Sequence, residues 1–255
     1  MNLLEKLGLK VLRFLEELGE VSILFIKIHA GMYRVFRDRR LILRQMEHIG
    51  VNSIPLVIII AIFTGGVSAW QAAYQLKGLA PLSFIGGATV RAVITELGPV
   101  LTGIVIAGRV GASIAAELGT MKVTEQIDAL ESMSINPVRY LAMPRYLASL
   151  IMMPMLVVFA NVIAVFGAYL VSNFFLGISS YVFIESIRNF FSLNDYFYGI
   201  VKATFFGAVT ALIGCHIGFK TEGGAEGVGL STIRSFVISA ATILILDYIL
   251  WNLFF

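Results

Sequence analysis

The feature that most constrains this chain is a series of long hydrophobic stretches with few or no charges. From Val51 to Tyr74 no residue is charged, and about 20 apolar residues in a helix cross the roughly 30 Å hydrocarbon core of a bilayer. Four further stretches of this kind follow, at about 97–118, 147–170, 196–219 and 232–255. The sequence therefore predicts an all-α, polytopic membrane protein with five transmembrane helices. The first is interrupted by Pro55 and two glycines, so it is either bent or only partly spanning.

The composition agrees with that prediction and excludes several other classes. Of the 255 residues, 58% are hydrophobic and 14% are charged, whereas about 25% of an average soluble chain is charged. A soluble enzyme, a disordered chain and a disulfide scaffold are therefore excluded. The single cysteine, Cys215, excludes an internal disulfide, and with only three histidines in the chain no metal site is predicted.

The N-terminal region, residues 1–48, is predicted to lie on the membrane rather than in it, before a transmembrane domain at 49–255. Its apolar residues recur at helical spacing opposite charged ones, which indicates an amphipathic interfacial helix. A helix packed on a cytosolic partner is the alternative. The apolar positions are Leu4, Leu7, Val11, Phe14, Leu15 and Leu18.

Basic residues are concentrated in the same region, which predicts the orientation of the chain. Nine of the 19 lysines and arginines precede residue 49, and basic residues flanking the first span favour the cytosolic side. We therefore expect a cytosolic N-terminus and, after five spans, a C-terminus on the opposite side. With a net charge of only +3 and no soluble domain to carry a basic patch, no nucleic-acid partner is expected.

Small residues recur at every fourth position in two of the predicted spans. Such rows let helix backbones approach closely, so they predict tight packing, either within the chain or between two copies. The second span carries Gly103, Ala107, Gly111, Ala115 and Gly119, and the fourth carries Gly199, Ala203, Gly207 and Ala211.

Ionisable residues inside the spans are candidate functional residues, because charges are costly in hydrocarbon. Arg109 lies near the middle of the second span. Lys202 and Asp247 lie at similar depth in the fourth and fifth spans and are predicted to pair, with a purely structural ion pair favoured over a functional one. Glu96 precedes Gly98-Pro99, where the helix is expected to begin or break. It is either a carboxylate at a water-accessible mouth or an ordinary helix-start residue.

The connection between the second and third spans is predicted to contain a short acidic helix at 124–133. Thr124 is its expected N-cap, Glu125 and Asp128 its first-turn acids, and Asn136-Pro137 its end. Docking onto another protein and a solvated loop helix are equally compatible with this composition. The candidate residues are Thr124, Glu125, Gln126, Ile127, Asp128, Leu130 and Glu131.

The connection at 220–229 is rich in glycine but lacks the G-x-x-x-x-G-K-[ST] pattern of a phosphate-binding loop. It is predicted to be a flexible or tightly turned loop without a nucleotide. Neither this connection nor any Ser/His/Asp arrangement supports an enzyme.

Five motifs together resemble the MlaE/YrbE permease family, the membrane subunits of ABC transporters that work with Mce-domain proteins. The similarity runs from about residue 40 to the C-terminus and is most specific between Glu96 and Leu141. The motifs are Glu96-Leu-Gly-Pro-Val-Leu-Thr-Gly, Ala107-Gly-Arg-Val-Gly-Ala, the stretch 116–130, Asn136-Pro-Val-Arg-Tyr-Leu and Gly223-Gly-Ala-Glu-Gly-Val-Gly.

The resemblance implies a homodimeric permease in a bacterial inner membrane, with a cytosolic N-terminus and a periplasmic C-terminus. Two ATPase subunits would bind ATP and Mg²⁺, so that this chain needs no cofactor, and a periplasmic ring of Mce-domain proteins would complete the complex. The expected substrate is a phospholipid moved between the inner and outer membranes. The segment at 124–133 would then be the coupling helix that contacts the ATPase.

The same resemblance places the lipid cavity beside Glu96 and Leu97. Some relatives carry an arginine immediately before this glutamate, where this chain has Thr95, so Arg91 is the candidate for contacting a lipid phosphate. Two other functions remain as alternatives at this stage. One is a lipid-modifying membrane enzyme using Glu96 or His216, and the other is a non-transporting anchor of an envelope complex.

Overall fold

The computed structural model describes residues 3–32, 38–79 and 81–254, and these parts of the chain are almost entirely helical, without a β-strand. The all-α prediction is confirmed. The helices are α1 Leu3–Gly31, α2 Arg39–Ile49, α3 Ile54–Leu76, α4 Ile85–Val123, α5 Gln126–Ser132, α6 Val138–Phe174, α7 Ser180–Phe190, α8 Leu193–Phe219 and α9 Gly224–Phe254.

Five helical segments are long and apolar enough to cross a membrane, as predicted. They are α2 and α3 taken together, α4, α6, α8 and α9. Because the chain crosses back and forth, α5 and the turn between α8 and α9 lie at one end of the bundle, here called the α5 end. The short helix α7 lies at the opposite end, the α7 end.

The second span begins earlier than predicted. We expected a helix start or break at Gly98-Pro99, but α4 runs on from Ile85 through a π-helical turn at Val93–Leu97, in which the Gly98 amide donates to the Val93 carbonyl. The wide turn accommodates the ring and the missing donor of Pro99 without ending the helix. Glu96 is therefore not a helix-start residue.

The glycine-rich connection before the last span is also shorter than predicted. Helix α9 begins at Gly224 rather than near residue 232, so most of the expected loop is helical. The reversal is made by Gly223 and Gly224, which have φ values of 85° and 66°, a conformation that glycine adopts without a steric penalty. The prediction of a tight turn holds only for 221–223.

Close helix packing occurs within the chain, which is one of the two arrangements that the small-residue rows predicted. A Cβ atom added to Gly199 would lie 2.4 Å from the Ile94 carbonyl oxygen of α4, and one added to Gly214 would lie 2.9 Å from that of Gly111. Helix α3 meets α6 in the same way, because a Cβ on Gly65 would lie 1.8 Å from the Ala164 oxygen. These contacts are the small-residue packing expected in a bilayer.

The N-terminal helix is confirmed as a helix and is longer than its predicted apolar stripe. Val11, Leu15 and Leu18 on that stripe are exposed, as expected for a helix that presents an apolar face to a membrane interface. The side chains of Leu4, Leu7 and Phe14, which belong to the predicted stripe, lie outside the part of the chain that the structure describes, as do Arg34 and Arg37. The division into regions 1–48 and 49–255 stays a prediction.

Candidate functional site

A fully buried lysine joins three transmembrane helices in the half of the bundle nearer the α7 end. The Lys202 Nζ atom on α8 lies 2.5 Å from Glu96 Oε1 on α4 and 2.9 Å from Asp247 Oδ1 on α9. It also lies 5.0 Å from the ring centre of Trp251, within range of a cation–π interaction. The predicted pairing of Lys202 with Asp247 is confirmed, and Glu96 is a third member that the sequence reasoning did not place there.

This cluster holds one cation and two carboxylates. The Lys202 side chain is completely buried, whereas those of Glu96 and Asp247 are 30% and 19% exposed. Buried charges are retained in proteins when they are paired. Glu96 is therefore held in an ion pair with Lys202.

Beside this cluster, two of the predicted substrate residues line a cavity of about 330 Å³. Arg91, Thr95 and Trp251 line it together with two alanines. The Arg91 side chain is 56% exposed, and its Nε atom lies 2.9 Å from Asp195 Oδ2. The Thr95 hydroxyl is turned back into its own helix, donating to the Arg91 carbonyl over 2.9 Å. Arg91 is thus the cation of this cavity.

The remaining predicted substrate residue, Leu97, is half-buried and packs against the central hydrophobic core. Its assignment to a lipid cavity stays a prediction. Arg109, the predicted mid-membrane cation, donates from Nη1 to the Ser53 hydroxyl over 2.5 Å. Since Ser53 lies in the turn between α2 and α3, Arg109 ties α4 to the junction of these two helices within the first span.

The acidic helix between the second and third spans is present as α5, but its ends differ from the prediction. Thr124 is not an N-cap, because its hydroxyl donates to the Thr120 carbonyl at the end of α4. Glu125 is not in the first turn; it occupies the N-cap position in the left-handed conformation, with φ of 59°. A residue in this conformation reverses the chain sharply enough to turn α4 into α5.

The other end of α5 also comes earlier than Asn136-Pro137. The helix ends at Ser132, and Ser134 takes a left-handed conformation with φ of 58°. The Ile135 amide then donates to the Leu130 carbonyl over 2.9 Å. This is the Schellman arrangement that closes many helices, here with serine in the position that glycine usually occupies.

Helix α5 has one buried side and one exposed side. Ile127 is buried in the central core and Leu130 packs against it, while Asp128 pairs with Lys122 at the end of α4 over 2.9 Å. The exposed side combines acidic and apolar side chains, which suits contact with another protein. It comprises Glu125, Gln126, Glu131, Met133 and Ile135.

Two ion pairs around α5 were missed by the sequence reasoning. Arg145 at the start of α6 is buried and reaches Glu117 on α4 over 2.8 Å. Arg139 forms a bidentate pair with Asp38, whose closest distance is 2.9 Å. The depth of Glu117 and Arg145 in neighbouring spans could have indicated the first pair, but no local spacing signals the second.

Together these features define a multi-pass helical membrane protein with an exposed acidic helix at one end and a charged intramembrane cluster towards the other. Comparison with known proteins gives the family. The family model described as "Permease MlaE" matches residues 42–253, and the chain belongs to the MlaE permease family. Members of the MlaE permease family are the permease subunits of ABC transporters.

Individual relatives cover most or all of the chain. A probable ABC transporter permease protein of Rickettsia felis is 38% identical over 255 residues, covering all of this chain and 98% of that protein. A second, from Synechocystis, is 39% identical over 85% of this chain and 83% of its own length. The protein named Trigalactosyldiacylglycerol 1, chloroplastic, of Arabidopsis thaliana is 36% identical over 84% of this chain and 61% of its own.

Proposed function

We propose that this permease moves phospholipids between the inner and outer membranes of a bacterial envelope, as a homodimer driven by two separate ATPase subunits. A periplasmic ring of Mce-domain proteins would receive or deliver the lipid. The chain would lie in the inner membrane with its N-terminus in the cytosol and its C-terminus in the periplasm. ATP and Mg²⁺ would be bound by the ATPase subunits.

The observation that carries the proposal is the exposed helix α5 in a chain that belongs to an ABC permease family. The helix is held to the membrane domain by Ile127 and by the Asp128–Lys122 pair. Its acidic residues Glu125 and Glu131 remain exposed. A partner that contacts this surface differently in its ATP-bound and ATP-free states could shift the permease between two conformations, because only differential binding shifts an equilibrium.

A lipid substrate is supported by the cavity that Arg91 lines. A guanidinium group recognises phosphate through charge-assisted hydrogen bonds, and the Asp195 carboxylate beside Arg91 holds it in place until a phosphate competes. The name of the Arabidopsis relative contains that of a galactosylated diacylglycerol, which is a lipid.

The homodimer is supported by the exposure of α9. In the most apolar part of this helix only 17% of residues are buried within the chain, compared with 56% in α4 and in α8. A transmembrane helix with so little protein contact has a face available to lipid or to a second copy. Pairing of two α9 faces would bring the Arg91 cavities of two copies towards a shared space.

The coupling assignment can be tested in the assembled transporter by reversing exposed charges on α5. The double variant Glu125→Lys/Glu131→Lys leaves the Asp128–Lys122 pair in place, which a change at Asp128 would not. We expect this variant to lose ATP-dependent lipid transfer between labelled liposomes. The ATPase subunits should either dissociate from the complex or hydrolyse ATP without transporting lipid.

The matched control is Glu16→Lys/Glu47→Lys, which makes the same change in net charge at exposed positions on α1 and α2. It should transfer lipid at the wild-type rate. Co-purification from native membranes, followed by identification of bound proteins and lipids, tests the partners directly. Normal transfer by the α5 variant would refute the coupling role.

A further inference from the structure

A second cavity, of about 380 Å³, lies at the α5 end of the bundle between α1, α8 and α9. It is separate from the Arg91 cavity, which lies in the opposite half of the membrane domain. Its walls are mainly aliphatic and include Leu18, Val21, Leu212, Ile213, Ile238 and Ile245.

The charged residues that line this cavity, Glu17, Lys220 and Arg234, lie at one end of it, and Glu20 lies beside that end without lining the cavity. Glu17 on α1 pairs with Arg234 on α9 over 2.5 Å, and Glu20 pairs with Lys220 at the end of α8. His216 Nε2 lies 3.8 Å from the Glu20 carboxylate. Lys220 and Arg234 therefore lie at the same end of the cavity, and the apolar walls extend from that end into the membrane domain.

The apolar part is long and narrow. Along α8 it extends from Lys220 to Val209, and along α9 from Arg234 to Ile245, in each case about 16 Å at 1.5 Å per residue. Thr242, a polar residue in this part, donates its hydroxyl to the Ile238 carbonyl of its own helix. The shape and the apolar walls of the cavity therefore fit an elongated apolar ligand.

In a bilayer such a cavity is filled by hydrocarbon. Apolar cavities do not retain water, and an empty one loses dispersion contacts along its whole lining. If a methylene group takes roughly the 30 Å³ of a water molecule, the volume accommodates on the order of a dozen of them. That is most of one fatty-acyl chain.

The charged end fits a headgroup that carries both signs. Glu17 and Arg234 are 44% and 57% exposed, and Glu20 and Lys220 are 40% and 49% exposed. Ion pairs as exposed as these are weak and can exchange partners. A phosphate would take Lys220 and Arg234, while an ammonium group would take Glu17, with Glu20 next to the cavity as a second carboxylate.

We propose that this cavity is a binding site for a zwitterionic phospholipid, such as one with a phosphoethanolamine headgroup. One acyl chain enters between α8 and α9, and α1 covers it. The lipid comes from the leaflet at the α5 end, which is the cytosolic leaflet in the orientation proposed above. The site is additional to the Arg91 cavity.

The test uses the purified permease in nanodiscs that contain phosphatidylethanolamine with a photoreactive diazirine in its acyl chain. Cross-links mapped by mass spectrometry should lie on the walls formed by α8 and α9. Val21→Trp fills the cavity and should lower this labelling severalfold. Leu12→Trp places the same side chain at an exposed position of the same helix and should leave it unchanged. Equal labelling of the two variants would overturn the proposal.

Headgroup recognition is tested with two further probes that carry the same acyl chain, phosphatidylglycerol and the free fatty acid. Phosphatidylethanolamine should label most strongly. Glu17→Gln/Arg234→Gln, which keeps the net charge, should abolish that preference while the protein elutes as the wild type does. Equal labelling of the wild type by all three probes would refute a headgroup site.

The other possible occupant is a second copy of the chain. If cysteines introduced at Val21 and Ile245 form disulfides between copies and the acyl labelling is absent, protein fills the cavity and the lipid proposal is wrong. Labelling is measured without ATP or ATPase subunits. A permease that fails to transport lipid can therefore still confirm this site, and a transporting one can still refute it.

Discussion

Replacing Lys202 with methionine tests whether the intramembrane cluster depends on its single cation. Oxygens of Glu96 and Asp247 both lie within 3 Å of the Lys202 Nζ atom, so these two oxygens are separated by about 5 Å at most. Two like charges at that distance repel by about 3 kcal/mol at an effective dielectric constant of about 20, and by more if they are closer. Removing one partner of a buried ion pair typically costs about 3–5 kcal/mol, and we expect Lys202→Met to lower the free energy of unfolding by that amount.

Neutralising the acids should change the outcome in a defined way. Asp247→Asn alone leaves Lys202 paired with Glu96, so it should cost about 1–3 kcal/mol, as the loss of one buried partner does. The triple variant Lys202→Met/Glu96→Gln/Asp247→Asn has no unpaired charge and should recover most of the stability lost by the single variant.

The measurement is reversible unfolding in mixed micelles, followed by tryptophan fluorescence, since Trp251 lies over the Lys202 ammonium group. If the triple variant is as unstable as Lys202→Met, the loss comes from packing around the long lysine side chain and the electrostatic reasoning is wrong. A loss of less than about 1 kcal/mol in Lys202→Met, the range of an exposed pair, would equally refute it.

Three other predictions concern the close packing, the N-terminal helix and α5. Gly65→Val places a Cβ 1.8 Å from the Ala164 oxygen. This overpacking should lower the free energy of unfolding by about 1–3 kcal/mol or more. The control Gly19→Ala, whose Cβ meets no neighbouring atom, should leave the free energy of unfolding unchanged. The hydrogen bond from Lys220 lowers the pKa of Glu20 below its usual 4.5. The Glu20–Lys220 pair therefore stabilises the docking of α1 fully above pH 4.5, and this stabilisation is lost as the pH falls through the lowered pKa of Glu20. Amide exchange in α1 should accelerate over that acidic range in the wild type, and Lys220→Gln should shift the change towards pH 4.5. Glu125 adopts a left-handed conformation, which costs a non-glycine residue roughly 1–2 kcal/mol. Glu125→Gly removes this strain and should raise the midpoint of thermal unfolding, whereas a lowered midpoint would show that the residue is not strained.

The sequence predicted what depends on periodicity and depth. The five spans follow from hydrophobic length, and the Lys202–Asp247 pair follows from counting residues from the span ends. Glu96 was not assigned to that pair because Gly98-Pro99 reads as a helix boundary, whereas a π-helical turn carries the helix through it. A turn of this kind depends on packing by neighbouring helices and has no short sequence signature.

The ends of α5 and the ion pairs of α1 were beyond local sequence reasoning for a related cause. A threonine followed by acids is a good N-cap pattern, yet the chain reverses at Glu125 because α4 continues to Val123 and leaves no room for an extended cap. Glu20 and Lys220 are 200 positions apart. No periodicity connects them, and only the folded topology brings α1 to the ends of α8 and α9.

Helix α4 is the element that connects both ends of the proposed mechanism. At the α5 end it holds α5 through the Lys122–Asp128 pair and holds α6 through the Glu117–Arg145 pair. In the other half of the membrane its Glu96 contacts Lys202 of α8. Sliding of α4 along α8 would break a buried ion pair and drive Gly111 against Gly214 at a backbone distance that tolerates no side chain. A force applied at α5 is therefore expected to tilt α4, α6 and α8 as one packed unit. In the proposed homodimer, that tilt would change the space between the sparsely buried α9 faces of the two copies.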